Sequence, residues 1–165
     1  MQLKILLIIP IIFSINSLFA QNNTTDSLHD HTEHSHHKNE LGVAISPVYF
    51  VKEDLFSYGI HLHYSRNITN TKFAFGLGYE RIFDDHKHNT VGFVASYRPI
   101  DKLSFNLSPG ITFEDHENRS YEFALHIETA YEFEIGNFHI GPSLEFAFEP
   151  EDYHISLGLH LGFGF

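Results

Sequence analysis

Apolar and polar residues alternate along the last stretch of the chain. Positions 153, 155, 157, 159, 161, 163 and 165 are apolar, and the residues between them are His, Ser or Gly. Because successive side chains of a strand point to opposite faces, the pattern predicts a strand with one apolar and one polar face. The apolar face continues to the terminal Phe165. An edge strand over a soluble sandwich core is the alternative interpretation of this stretch alone.

The same period of two recurs from residue 41 onward, with turn residues at short intervals. It predicts eight strands, over residues 41–51, 56–66, 72–83, 90–98, 103–114, 120–133, 138–149 and 152–165. Each is long enough to cross a bilayer at a tilt, which takes about 9–11 residues. An even number of strands is typical of bacterial membrane barrels, and closure removes the exposed strand edges.

Outward-facing aromatic residues are predicted at two heights. One set is Tyr49, Tyr58, Tyr79, Phe113, Tyr121, Phe148 and Tyr153, and the other is Tyr64, Phe73, Tyr97, Tyr131, Phe133, Phe138, Phe163 and Phe165. Aliphatic residues such as Leu62, Leu77, Ile127, Leu144 and Leu157 dominate between them. Two aromatic girdles around an aliphatic band are typical of outer-membrane barrels, and a soluble barrel has no reason to sort its outer aromatics by height.

Residues 41–165 resemble the small eight-stranded bacterial outer-membrane β-barrel proteins. The resemblance lies in the alternating strands, the girdles and the terminal Leu161-Gly162-Phe163-Gly164-Phe165. It implies an all-β, eight-stranded antiparallel transmembrane β-barrel in the bacterial cell outer membrane. Its partners would be outer-membrane lipid and, through the C-terminal strand, the barrel-assembly machinery. The function is left open, since this architecture serves as anchor, adhesin, inhibitor and enzyme.

The N-terminal forty residues predict an exported chain with a polar tail. Residues 1–20 have a short n-region with Lys4 and an apolar run over 5–13, which indicates a signal peptide cleaved after Ala20. No second apolar run of about 18 residues follows, so no transmembrane helix is expected. Residues 21–40 lack apolar periodicity and predict a disordered, histidine-rich tail before the barrel domain at 41–165. The tail histidines are candidate weak ligands for transition metals, or part of a solvated linker: His29, His31, His34, His36 and His37.

An even strand count places both chain ends on one side, which we expect to be the periplasmic side. The turns there are predicted at 67–71, 98–102 and 134–137, and the outer loops at 52–55, 84–89, 115–119 and 150–151. The outer loops are acidic and short, which argues against a large adhesin or receptor head. The formal net charge of -11 disfavours a nucleic-acid partner and favours cations. Without cysteine the chain has no disulfide or thiolate metal site.

The inward face of the predicted barrel collects histidines and carboxylates. These are His61, His63, His126, His139, His154 and His160, with Glu80, Glu114, Glu122, Glu128, Glu132, Glu145 and Glu149. Only Lys72, Arg98 and Lys102 are predicted inward cations, all near the periplasmic end. Because buried, unpaired carboxylates are costly, protonation, charged histidines or a bound cation must offset them.

A divalent transition-metal site in the lumen, for zinc, copper or nickel, is one hypothesis for these residues. His61 and His63 are two apart on one strand, as in strand-borne zinc ligand pairs. A turn centred near Gly136 predicts Glu132 opposite His139 and His126 opposite Glu145. The candidate lumen ligands are His61, His63, His126, Glu128, Glu145 and His160. Their affinity should fall as pH drops through about 6.5, because imidazole must be deprotonated to ligate. The alternative is a structural plug of hydrogen-bonded polar side chains without a ligand.

An enzyme is the remaining alternative. Lipid A deacylases, among the enzymatic members of the barrel class, use a Ser–His–acid arrangement that faces lipid. His154 and Ser156 have a suitable spacing, with Glu145 or Glu149 near, and His63 and Ser65 repeat it. All of them point inward by parity, away from a lipid substrate. The sequence therefore favours a protein that is not an enzyme.

Overall fold

The computed structural model describes residues 37–85, 87–114, 121–150 and 152–165. The predicted signal peptide and most of the predicted tail, including His29, His31, His34 and His36, lie outside the described residues. Within them are nine strands: β1 Asn39–Phe50, β2 Leu55–Asn67, β3 Phe73–Ile82, β4 His88–Ile100, β5 Leu103–Glu114, β6 Tyr121–Tyr131, β7 Phe133–Ile135, β8 Phe138–Phe148 and β9 Tyr153–Gly164. Among these residues, no helix is long and apolar enough to cross a membrane.

The strands form one closed antiparallel barrel. Neighbours along the chain pair from β1 to β6, β8 pairs with β9, and β9 returns to β1. β6 and β7 both pair with β8 and are separated by Glu132 alone, so together they fill one wall position. The wall therefore has eight positions, which confirms the eight-stranded all-β barrel predicted from the sequence.

The barrel has two ends, which we name by their residues. The terminal end is where β1 begins and β9 finishes, together with turns 68–72, 101–102 and 136–137. The loop end is opposite, at 51–54, 83–85 and 149–150. Asn39 and Phe165 exchange backbone hydrogen bonds of 2.9 Å at the terminal end. That pairing extends β1 to Asn39, so Glu40, assigned to the tail by the sequence analysis, lies in the barrel.

The register of the last hairpin differs from the prediction. Ile135 pairs with Phe138 around Gly136, whose φ of 63° suits a tight two-residue turn. His139 therefore lies opposite Glu134, and Glu128 lies opposite Glu145. The predicted register, with Glu132 opposite His139 and His126 opposite Glu145, was wrong by two residues along the strand, because the hairpin turns around residues 136 and 137. The side chains of both predicted pairs still contact each other diagonally, at 3.5 and 3.4 Å.

The outer wall is apolar and carries aromatic rings near both ends. Tyr49 and Phe56 lie 4.6 Å apart between ring centroids at the loop end. Phe138 and Phe163 lie 5.0 Å apart at the terminal end. Phe93, in the middle of β4 and 71% exposed, adds one aromatic ring to the mostly aliphatic band between them. This surface suits contact with lipid.

The interior is mostly polar, with buried Val94 and several alanines among the polar side chains. Near the loop end, Val48, Phe50 and Ile82 form a buried apolar cluster, which we call the apolar layer. The Phe50 ring centroid lies 5.2 Å from that of His154 and 5.7 Å from that of His88. The apolar layer covers one side of the lumen at the loop end, and buried Thr112 and Glu149 are polar residues near the same end.

Candidate metal centre

The predicted inward side chains lie in the lumen, with two corrections among the cations. His63, His126, His154 and His160 are buried, while His61 and His139 are partly buried. Glu80, Glu128, Glu132, Glu145 and Glu149 are buried too, and Glu114 and Glu122 are half-buried. Lys72 and Lys102 are exposed, because both belong to turns at the terminal end. Within the described residues, Arg98 is the lumen cation.

Four side chains from four strands converge in the half of the lumen nearer the loop end, which we call the upper lumen. They form the four-residue cluster: Glu80 of β3, His126 of β6, Glu145 of β8 and His154 of β9. His126 Nδ1 lies 3.4 Å from both Glu80 Oε2 and Glu145 Oε1. His154 Nε2 lies 4.0 and 3.9 Å from the same two oxygens. A tetrahedral ion with bonds of about 2.0–2.2 Å needs ligand atoms about 3.3–3.6 Å apart. The two distances from His126 fit this spacing, and the two from His154 exceed its upper limit by about 0.3–0.4 Å.

The ligand atoms of this cluster are not otherwise satisfied. Glu80 Oε2, Glu145 Oε1 and His154 Nε2 are buried and have no hydrogen-bond partner in the part of the chain that the structure describes. Their mutual distances exceed those of good hydrogen bonds, about 2.7–3.2 Å. Buried Glu149, in contrast, accepts a hydrogen bond of 2.7 Å from Thr112 Oγ1. An ion among the four side chains would satisfy what the protein leaves unpaired.

A second group, the three-residue cluster, adjoins the first and consists of His61, Glu128 and Glu145. His61 Nδ1 lies 3.5 Å from Glu128 Oε2 and 3.7 Å from Glu145 Oε2. Asn106 Nδ2 donates to the other oxygen of Glu128, Oε1, at 3.5 Å. With Oε1 on the Asn106 side, Glu128 presents Oε2 to His61. Residues outside the ligand set commonly orient metal ligands in this way.

A third group lies toward the terminal end, and we call it the arginine cluster: Glu40, Arg98, Glu132, His139 and His160. Arg98 Nη2 lies 3.1 Å from Glu40 Oε2 and 3.5 Å from Glu132 Oε2. His160 Nδ1 lies 2.7 Å from Glu132 Oε1, and His139 Nε2 lies 3.5 Å from the same oxygen. A guanidinium already compensates both carboxylates, so this group is built as an ion-pair network.

The predicted ligand set is thus divided among the three groups. His61, Glu128 and Glu145 meet, and Glu145 also meets His126, but His160 belongs to the arginine cluster. His63 Nε2 lies 3.6 Å from Glu40, and its ring stacks on that of His160 at 5.2 Å. The structure does not bring His61 and His63 into one ligand group, because His61 contacts Glu128 and Glu145 whereas His63 contacts Glu40.

Five members of these groups were missing from the predicted ligand and cation sets: Glu80, His154, Glu132, His139 and Glu40. The first four were recognised as inward residues, and pairing of His61 with Glu80 across β2 and β3 joins two predicted lumen residues. The signal for Glu40 was its parity with Gly42 and Ala44, which continues the inward face of β1 toward the N-terminus.

Lumen glycines give the imidazoles their space. A Cβ on Gly42 would come within 2.7 Å of His160 Nε2 and closer still to the His63 ring. A Cβ on Gly162 would collide with the His139 ring. Glycines on the inward faces of β1 and β9 therefore leave the volume that the neighbouring histidine rings occupy.

The arrangement expected of a lipid hydrolase is not formed. His154 and Ser156 are buried in the lumen, as the parity predicted, and so are His63 and Ser65. Neither ring nitrogen of His154 has a hydrogen-bond partner among the described residues, so Ser156 is not activated by it. A lipid outside the wall does not reach these side chains.

At the loop end, Asp84 contacts His88 through a side-chain hydrogen bond and also accepts from its backbone N–H at 3.1 Å. Burial raises the pKa of Asp84, but the hydrogen bonds and charge of His88 outweigh it and hold that pKa below its usual value. This contact fixes the turn between β3 and β4.

Comparison with solved structures places the fold among small outer-membrane barrels. Neisserial surface protein A matches with a TM-score of 0.55 and 12% identity, over 77% of this chain and 96% of that one. The N-terminal β-barrel domain of Pseudomonas aeruginosa OprF matches with a TM-score of 0.51 and 18% identity, over 78% and 99%. The Yersinia pestis outer membrane protein Ail, solved in a phospholipid bilayer nanodisc, gives 0.51 and 15%, over 77% and 99%.

These likenesses define the class of fold, that of the small eight-stranded outer-membrane β-barrels, as the sequence resemblance implied. No protein-family model and no curated protein matches the chain. The four-residue cluster must therefore be interpreted from its own chemistry.

Proposed function

We propose that the protein is an outer-membrane β-barrel that binds one divalent transition-metal ion in its lumen, through Glu80, His126, Glu145 and His154. The observation that carries the proposal is the convergence of these four buried ligand atoms at the spacing of a tetrahedral site. Three of the atoms have no other partner among the described residues.

Charge supports a cation at this position. Glu80 and Glu145 are 4% exposed each, and burying two neighbouring carboxylates without compensation is costly. Arg98, the cation that the described lumen offers, is engaged by Glu40 and Glu132 in the arginine cluster. A divalent ion would neutralise the pair in place.

The ligand types favour zinc, copper or nickel. Two imidazole nitrogens with two carboxylate oxygens suit these ions, whereas calcium takes six to eight oxygen ligands. The ion would be held tightly in the lumen, while the histidine-rich tail would capture the same ions weakly outside it. We propose that this capture occurs on the periplasmic side, with the loop end facing outward.

The outer-membrane location is supported by the apolar outer wall, the rings near both ends and the fold. In this location the wall contacts outer-membrane lipid, and the C-terminal strand ending at Phe165 is the segment that the barrel-assembly machinery would recognise. Deletion of Phe165 should reduce the folded, heat-modifiable form on gels more than deletion of residues 21–36 does.

Calorimetry on the refolded full chain tests metal binding in the lumen. Tail binding is first removed in a tail-substituted chain, which carries His29→Asn, His31→Asn, His34→Asn, His36→Asn and His37→Asn. We expect this chain to bind zinc at neutral pH and His126→Ala with His154→Ala to abolish binding by the four-residue cluster. Thr90→Val, a buried lumen change outside the three groups, is the matched control and should retain binding.

Two measurements keep the test decisive if a variant folds poorly. Heat-modifiable migration reports folding of each variant, and the copper EPR spectrum of the tail-substituted chain should show hyperfine coupling to two imidazole nitrogens. Absence of zinc, copper and nickel binding in that chain would contradict the proposal and leave the lumen as a polar plug.

A further inference from the structure

Glu145 belongs to both metal-ligating groups of the upper lumen, and it presents a different oxygen to each. Its Oε1 faces His126 Nδ1 at 3.4 Å and His154 Nε2 at 3.9 Å. Its Oε2 faces His61 Nδ1 at 3.7 Å. A carboxylate that directs its two oxygens into two adjacent ligand groups has the geometry of a bridge between two ions.

We propose that the lumen holds a binuclear metal centre bridged by the Glu145 carboxylate. The first ion takes the four-residue cluster, and the second takes His61 Nδ1, Glu128 Oε2 and Glu145 Oε2. This inference rests on the proposed function, because the second ion shares a ligand with the first. Two-metal sites hold their ions about 3.5–4 Å apart, which one carboxylate can span.

The second position is built for an ion in the same way as the first. His61 Nδ1 is buried and has no hydrogen-bond partner within the described part of the chain. It lies 3.5 Å from Glu128 Oε2, longer than a good hydrogen bond and close to the edge of a tetrahedron of ligands. Asn106 Nδ2 faces the other Glu128 oxygen, Oε1, at 3.5 Å, so Oε2 is the oxygen on the side of the site.

The charges of the joint site are compatible with two ions. Glu80, Glu128 and Glu145 bring three negative charges into one buried volume. One divalent ion leaves this volume with a single negative charge and two leave it with a single positive charge, so the ligand geometry, and not the charge, favours the second ion. Three protein ligands leave the second ion an open coordination position, which is the arrangement of metal sites that bind a small molecule or water.

Copper loading of the tail-substituted full chain tests the bridge. We expect two copper ions per chain and a half-field EPR transition, which arises when two copper ions lie close enough to couple. His61→Ala should lower the stoichiometry to one and remove the half-field transition, while the two-nitrogen hyperfine pattern of the first ion persists. Glu128→Gln is the second variant and should have the same effect.

Each other outcome refutes a defined part of the scheme. Two coppers without a half-field transition would show that the ions are separate, and one copper would refute the second ion while leaving the proposed function intact. No lumen copper at all would refute both. The spectrum of the unaltered lumen decides the matter if either variant fails to fold.

Discussion

Arg98 is the side chain whose removal should weaken the folded barrel most. Its Nη2 lies 3.1 Å from Glu40 and 3.5 Å from Glu132, and the side chains of these three residues are 16%, 8% and 2% exposed. Arg98→Gln would leave two buried carboxylates without their cation. A glutamine amide can donate to one of them but carries no charge.

The magnitude follows from the distances and the burial. At an effective dielectric constant of about 20, each of the two contacts corresponds to about 5 kcal/mol of Coulomb attraction. Desolvation of the buried ions offsets much of this, and breaking a buried pair from one side costs about 3–5 kcal/mol net. Because Arg98 keeps some exposure, we expect a loss of about 3 kcal/mol in the free energy of unfolding.

Denaturant unfolding of the protein refolded in lipid vesicles measures this loss. Arg66→Gln is the matched control, an exposed arginine in β2, and should change stability by about 0.5 kcal/mol at most. Adding Glu40→Gln to Arg98→Gln should recover at least about 1 kcal/mol, since one uncompensated charge is removed. A loss below about 1 kcal/mol for Arg98→Gln, or no recovery in the double variant, would refute the argument.

Three further predictions concern packing, chemistry and the loop end. Gly42→Ala should cost about 1–3 kcal/mol in denaturant unfolding, because its Cβ would collide with the stacked histidine rings, and an unchanged midpoint would contradict that packing. Ser156→Ala should leave the mass spectrum of cellular lipid A the same as that of wild type, whereas a lipid difference would restore the hydrolase hypothesis. Asp84→Asn should destabilise the protein near neutral pH, and the destabilisation should shrink as pH falls below about 3.9. The pKa of folded Asp84 lies below its unfolded value of about 3.9, so its contribution is present above that pH and is lost as pH falls. A destabilisation independent of pH would show that the His88 contact is not electrostatic.

The fold could be predicted from the sequence because parity is a local property. A period of two along β9 assigns each side chain to lipid or lumen without knowledge of any neighbour. The bounds of β5 at Leu103 and Glu114 agree with the prediction for the same reason, since the apolar face begins and ends there. Eight strands that each have one apolar and one polar face can pair in sequence and close into a barrel, with the apolar faces outside.

The metal centre could not be predicted to the same degree, because it depends on the stagger between strands. Glu80, His126, Glu145 and His154 come from four strands and meet across the lumen. The alternation of residues along each strand predicts that all four side chains point inward. It does not predict their relative positions along the barrel axis. The register of the hairpin at Gly136 differs by two residues from the prediction, and the prediction did not show that His126 reaches Glu80 as well as Glu145.

The apolar layer and the arginine cluster have a joint consequence for how long an ion stays. An ion in the upper lumen would lie between Val48, Phe50 and Ile82 on the loop side and the Arg98 guanidinium toward the terminal end. A hydrated cation would be disfavoured beside the first by dewetting and beside the second by like charge. The polar side chains on the loop side, Thr112 and Glu149, would then line the way in and out. Because Glu149 is a further carboxylate on that route, substitution of Glu149 would change the rate of exchange and not only the affinity.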